Sequence, residues 1–129
     1  MQQISRALIS VSDKTGLVEL ANALRKHGVE IIASDGTAEY LKSNSIDALN
    51  VSDVTGAHEL LGGKVKTLHP TIHAAILANR GVQSEIDSLE GFTPIDAVIV
   101  NLYPQSGFDI GGPALIRAGA KNAEYVSVI

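Results

Sequence analysis

The chain alternates short apolar runs with stretches whose apolar residues recur every three or four positions. Ala7-Leu8-Ile9-Ser10 is the first run. After the polar stretch Val11 to Gly16, residues Leu17, Leu20, Ala21 and Leu24 fall at i, i+3, i+4 and i+7, with Glu19, Asn22, Arg25 and Lys26 on the other faces. That spacing predicts a strand, a turn and an amphipathic helix. Ser12 or Asp13 is placed to cap the helix start, and Gly28 follows its end. The pattern then repeats: Glu30 to Ala33 reads as a strand, Ser34 to Thr37 as a turn and Ala38 to Ser43 as a helix. Two strand–turn–helix units in succession imply right-handed crossovers and a parallel sheet.

Ile46 to Val51 predicts a short edge strand, and Ser52 to Gly56 a capped turn into a short helix ending near Leu61. Pro70 suits a first helical position, where its missing N–H costs nothing. Asn79 to Thr93 is polar and mixed, as in a surface helix with loops. Ile95 to Val100 is nearly continuous in apolar residues, the mark of a mid-sheet strand covered on both faces. It delivers Asn101 and Tyr103 to its carboxyl end. Asp109-Ile110-Gly111-Gly112-Pro113 opens a helix that runs through Ala120 towards Lys121 and Asn122, and Val126 to Ile129 reads as a last strand. The expected fold class is α/β on a mainly parallel sheet.

Such sheets bind ligands at the carboxyl ends of their strands, where helix N-termini present unpaired N–H groups. The hydroxyl-rich turns after the first two strands suit a phosphate there, and equally suit ordinary helix caps. Gly62-Gly63-Lys64-Val65-Lys66-Thr67-Leu68-His69-Pro70 concentrates two cations and a hydroxyl beside a diglycine. If Lys64 to Lys66 is extended, both ammonium groups point to one side and can grip an anion or polarise an oxygen; a solvated basic turn is the plain alternative. His69 and His73 share a helix face at i, i+4, but no glutamate follows His69 and no third ligand is suitably spaced. Packing and hydrogen bonding at the edge of a site are therefore expected of them rather than zinc.

With 129 residues the chain fits one domain, 1–129. An apolar fraction of 45% with 19% charged residues excludes a disordered composition. No apolar run reaches the roughly 20 residues of a membrane span. The absence of cysteine removes disulfides, thiolate zinc sites and thiol nucleophiles. Met1 to Arg6 lacks a signal peptide's apolar stretch, so a cytoplasmic protein is expected. A net charge of -4 argues against nucleic acid or anionic membrane as partner.

Leu8 to Gly16, Val65 to Pro70, Asn101 to Pro104, Asp109 to Gly112 and Ala120 to Asn122 together resemble the N-terminal cyclohydrolase domain of the bifunctional AICAR transformylase/IMP cyclohydrolases. The resemblance runs from about Ala7 to the last residue. It implies a methylglyoxal-synthase-like, Rossmann-type three-layer sandwich. It also implies closure of FAICAR to IMP without any cofactor; no metal is expected, and a homodimer is one assembly that the sequence leaves open. The family's domain continues beyond Ile129 and is natively fused to a transformylase domain. Carried over by position, Ser10, Ser12, Lys14, Ser34, Gly36 and Thr37 are the phosphate and ribose region. Lys64, where the family often has Arg, together with Thr67, Asn101 and Gly111, contacts substrate. Lys66, Tyr103, Asp109 and Lys121 are the catalytic set. Lys66 and Tyr103 are expected near the formyl oxygen, Asp109 near the attacking amide, and Lys121 as acid or base. Asp35 stands where the family has glycine, and only Gln105 to Phe108 joins two motifs that the family separates by a long loop. A non-catalytic module binding a phosphorylated metabolite is the competing reading. The His and Asp pattern expected of a methylglyoxal synthase is not evident.

Overall fold

The computed structural model describes residues 3–57, 66–101 and 110–129. Along the chain run β1 (Arg6–Ser10), α1 (Leu17–Lys26), β2 (Glu30–Ala33), α2 (Asp35–Ser43), β3 (Leu49–Asn50) and α3 (Val51–Thr55). They are followed by α4 (Pro70–Leu77), α5 (Gln83–Asp87), β4 (Ala97–Val100), α6 (Gly111–Lys121) and β5 (Ser127–Val128). The strands form one sheet in the order β3-β2-β1-β4-β5, with every neighbouring pair parallel. β1 holds the centre, registered Leu8↔Ile32 on one side and Leu8↔Val98 on the other. β4 is interior as its apolar run requires, but one place from the middle.

Strand alternation sorts the core into two layers. Ala7, Ile9, Ile31, Ala33, Ala97 and Ile99 face α1 and α2, meeting Leu17, Ala21, Ala38 and Leu41. Leu8, Ile32 and Val98 point the other way, onto Val51 of α3, Ile72 and Ile76 of α4, and Leu115 and Ala118 of α6. The result is the expected three-layer sandwich. Because α1 and α2 cross on one face and α6 on the other, the chain changes direction between β1 and β4. In open parallel sheets ligands lodge at the carboxyl ends of such a switch point.

Three local expectations are corrected. Neither Ser12 nor Asp13 caps α1; its N-cap is Gly16 at φ 75°, and Asp13 Oδ1 instead accepts from Thr15 N at 2.9 Å. The stretch Ser34 to Thr37 is not a turn before α2 but its N-cap and first turn. The third strand shrinks to Leu49–Asn50, because Val51 enters α3 and is wholly buried in the core. At the amino edge Arg80 donates to the Ala78 and Ile95 carbonyls, each at 2.6 Å, and Asn122 Nδ2 to Ile76 O at 2.9 Å and Ala78 O at 3.0 Å. These bonds tie off the carbonyl end of α4 and give Asn122 a structural task. No helix among the described residues is long and apolar enough to cross a membrane.

Candidate active site

At the carboxyl ends of β1, β2 and β4 the chain makes a stapled loop beside an open helix start. The loop is Val11 to Thr15. On one flank the Thr37 hydroxyl accepts from Val11 N and from Ser34 Oγ and donates to Val11 O, each at 3.2 Å. All of its bonding capacity is used. On the other flank Asn101 Oδ1 accepts from Ser12 N at 2.8 Å and Ser12 Oγ at 3.0 Å, while its Nδ2 donates to Asp13 O at 2.9 Å. Lys14 Nζ folds beneath, donating to Val11 O at 2.7 Å and Ser12 O at 3.4 Å. Hydrogen bonds from Thr15, chiefly from its main chain, hold the Asp13 carboxyl below its usual range.

These contacts revise how the region would meet a phosphate. Thr37 is 1% exposed and Ser34 5%, so their hydroxyls are spent on the loop rather than offered outward. What α2 does offer is its first-turn N–H groups, because Ser34 makes no side-chain cap and Gly36 is exposed with nothing near it. Unpaired N–H groups at the positive end of a helix are ready-made anion donors. Asp35, at the same helix start, places Oδ1 3.3 Å from Ser52 Oγ on the α3 side. Ser10 ends β1 half-buried at this edge. Asn101, expected as a substrate contact, is in this structure a strut between β4 and the loop.

Across the switch point, Lys66 and Thr67 form a turn, not an extended strand, immediately before α4. Thr67 is buried. Its Oγ1 lies so close to Gly111 that a Cβ there would sit 2.9 Å away, so the turn rests directly on the start of α6. His69 N-caps α4, with Nδ1 accepting from Thr71 N at 3.1 Å. His73 lies beside it, pushed below the usual imidazole range chiefly by burial. Among the described residues no cluster of three or more His, Asp or Glu could hold a metal.

Lys14, Asn101, Gly36, Lys66, Thr67 and Gly111 thus belong to one sheet edge. Lys121 does not: it closes α6, ten residues beyond Gly111, about 15 Å along the axis at 1.5 Å per residue. One chain does not bring it beside Lys66. Lys64, Tyr103 and Asp109 lie outside the described residues. Sequence reasoning singled out His69 and His73 by their i, i+4 spacing, but missed the loop-holding use of Thr37 and Asn101, which involves partners 26 and 89 residues away.

Residues 16–123 match the family of MGS-like domains. The chain is 50% identical over 140 residues to the bifunctional purine biosynthesis protein PurH of Persephonella marina, an overlap covering 96% of this chain and 27% of that protein. It therefore spans about a quarter of the length of this curated relative. It also resembles the crystal structure of ForH, with a TM-score of 0.82 and 33% identity over 97% of this chain and 74% of that one.

Proposed function

The chain belongs to the MGS-like domain family, and on that premise we propose that it is an IMP cyclohydrolase that closes FAICAR to IMP in purine biosynthesis. In this step the carboxamide nitrogen bonds to the formyl carbon and the formyl C–O bond breaks. The oxygen leaves as water, taking one proton from the carboxamide nitrogen and one from the formamide nitrogen. Negative charge grows on the formyl oxygen as the ring closes, where a fixed cation stabilises the transition state more than the ground state. Lys66 serves as that cation, with Tyr103 assigned to the same formyl oxygen and Asp109 to the proton of the attacking amide. The stapled loop and the open start of α2 take the phosphate, which needs no cofactor or metal. Lys121 is left out of this centre within a single chain.

The observation that carries the proposal is the meeting, at one sheet edge, of an anion-ready helix start with a lysine-bearing turn seated on α6. The similarity to PurH selects purine chemistry over other phosphorylated substrates. The test is the absorbance change on mixing the purified chain with FAICAR. Turnover that falls roughly 100-fold in Lys66→Ala supports the proposal. IMP binding without turnover by the parent chain favours the non-catalytic metabolite-binding module, the reading to which a chain a quarter the length of its relative would then revert.

A further inference from the structure

The cap on α4 is an imidazole, which makes it conditional. His69 Nδ1 accepts from Thr71 N at 3.1 Å, and Pro70, the first residue of the helix, brings no N–H of its own to satisfy. A ring nitrogen accepts only while it is unprotonated, so this bond puts the proton of the neutral imidazole on Nε2. The commoner caps, serine, threonine, asparagine and aspartate, keep their acceptor oxygen at any pH near neutral. A protonated imidazole carries N–H on both nitrogens. It would turn a donor towards the Thr71 N–H and set a positive charge at the positive end of the helix. The surroundings return nothing for that loss. Lys66 stands three positions earlier, His73 lines the same groove with Leu68 and Pro70, and Arg117 and Lys121 line the next groove beyond His73. Ile110 to Ile116, at the start of α6, bring no charged side chain. Among these described neighbours none is acidic.

We propose that His69 is a positioning residue that acts as a proton-operated catch: neutral, its Nδ1 holds the start of α4 and with it the turn that carries Lys66; protonated, it releases both. The capped start and the turn are one continuous piece. Thr67 is buried against Gly111 of α6, and only the exposed Leu68 separates it from His69. This stretch is therefore held by Thr67 at one end and by the imidazole at the other. Pro70 keeps His69 extended in either state, so release loosens the turn without redirecting the chain that enters the helix. Loss of an N-cap shifts the opening of a helix start by about fivefold. A catalytic group that is less well fixed loses rate rather than ligand affinity. The phosphate seat, built from Val11 to Thr15 and the start of α2, contains no imidazole and is left whole.

The kinetic part rests on the cyclohydrolase reading; the structural part does not. In the whole chain, His69→Asn keeps a cap acceptor that no proton removes, His69→Ser is a second variant of that kind, and His69→Ala has no acceptor. Between about pH 8 and about pH 5, amide-exchange protection at Thr71 and His73, taken relative to the intrinsic rate at each pH, should fall about fivefold in the parent. It should hold steady in His69→Asn or His69→Ser and be low throughout in His69→Ala. Over the same range kcat for FAICAR should drop about fivefold more in the parent than in the Asn or Ser variant, with the IMP affinities of the two keeping pace within about twofold. The parent's excess drop should persist in a His73→Asn background, which removes the neighbouring titration. Parallel profiles in the parent and both capped variants overturn the proposal, as does an excess drop that disappears with His73. So does an imidazole ¹⁵N spectrum at about pH 8 with the His69 proton on Nδ1. If the parent chain does not turn over FAICAR, the cyclohydrolase reading falls, and the exchange and imidazole measurements alone decide the role of His69.

Discussion

Gly111→Ala probes the contact on which the site depends. The new Cβ would stand 2.9 Å from Thr67 Oγ1, about half an ångström inside ordinary contact, and Thr67 is buried and cannot swing into solvent. Overpacking of this kind costs about 1–3 kcal/mol. Against it, alanine at a helical glycine returns about 0.4–1 kcal/mol through a less flexible unfolded chain. The net runs from about zero to a loss of about 2.6 kcal/mol, so melting alone is a weak reporter. Turnover is the strong one, because the displaced Thr67 carries Lys66 with it. We expect kcat for FAICAR closure to fall about 10-fold or more while Tm moves by only a few degrees. Gly119→Ala is the control: its Cβ would meet Val128 Cγ2 at 2.5 Å, so it should destabilise the docking of β5 without touching turnover. In a Thr67→Ala background the Gly111→Ala effect should largely disappear, since the clashing hydroxyl is gone. Full turnover with a raised Tm in Gly111→Ala would refute the seating of this turn on α6.

Asn101→Ala removes the strut from Ser12 and Asp13, so IMP affinity should fall about 10-fold while inosine, which lacks the phosphate, is nearly unaffected; equal weakening of both would make Asn101 a base contact instead. Burial pushes the imidazole of His73 below the ordinary histidine range in the folded chain, so its neutral form contributes stability that is fully present above about pH 6.5 and is lost as pH falls through the folded value. His73→Asn should flatten that part of the Tm profile between pH 7.5 and 5.5, and an unchanged slope would contradict the assignment. Asp35 is drawn towards Ser52, so Asp35→Asn should tighten IMP binding less than about threefold at physiological salt; a larger, salt-sensitive gain would place its charge against the phosphate.

The order of strands and helices was legible because each carries its own period: Leu17, Leu20, Ala21 and Leu24 can only share a face on a helix, and Ile95 to Val100 has no polar side to give solvent. Element ends were less so. Ser34 and Thr37 look alike as turn residues and as the start of a helix, and only the tertiary bond to Val11 shows that their hydroxyls are consumed. Val51 reads as strand by propensity, yet packing draws it into α3. The candidate site was legible as a collection of residue types, not as an arrangement. Nothing in the order of residues says that Thr67 touches Gly111, that Asn101 faces back onto Ser12, or that α6 carries Lys121 to its far end, since each is fixed by contacts across the sheet or by helix length.

The central claim, that a nucleotide phosphate lies against the start of α2 and the Val11 to Thr15 loop, is tested most directly by titrating the ¹⁵N-labelled chain with IMP and following the backbone amides. The account predicts saturable shifts concentrated at Ser12, Lys14, Gly36 and Thr37 at one carboxyl edge, with Thr67 and Gly111 following and Asn122 at the opposite edge still. Saturable binding that moves the amides around Arg80 and Asn122 while leaving Gly36 and Thr37 in place would contradict it.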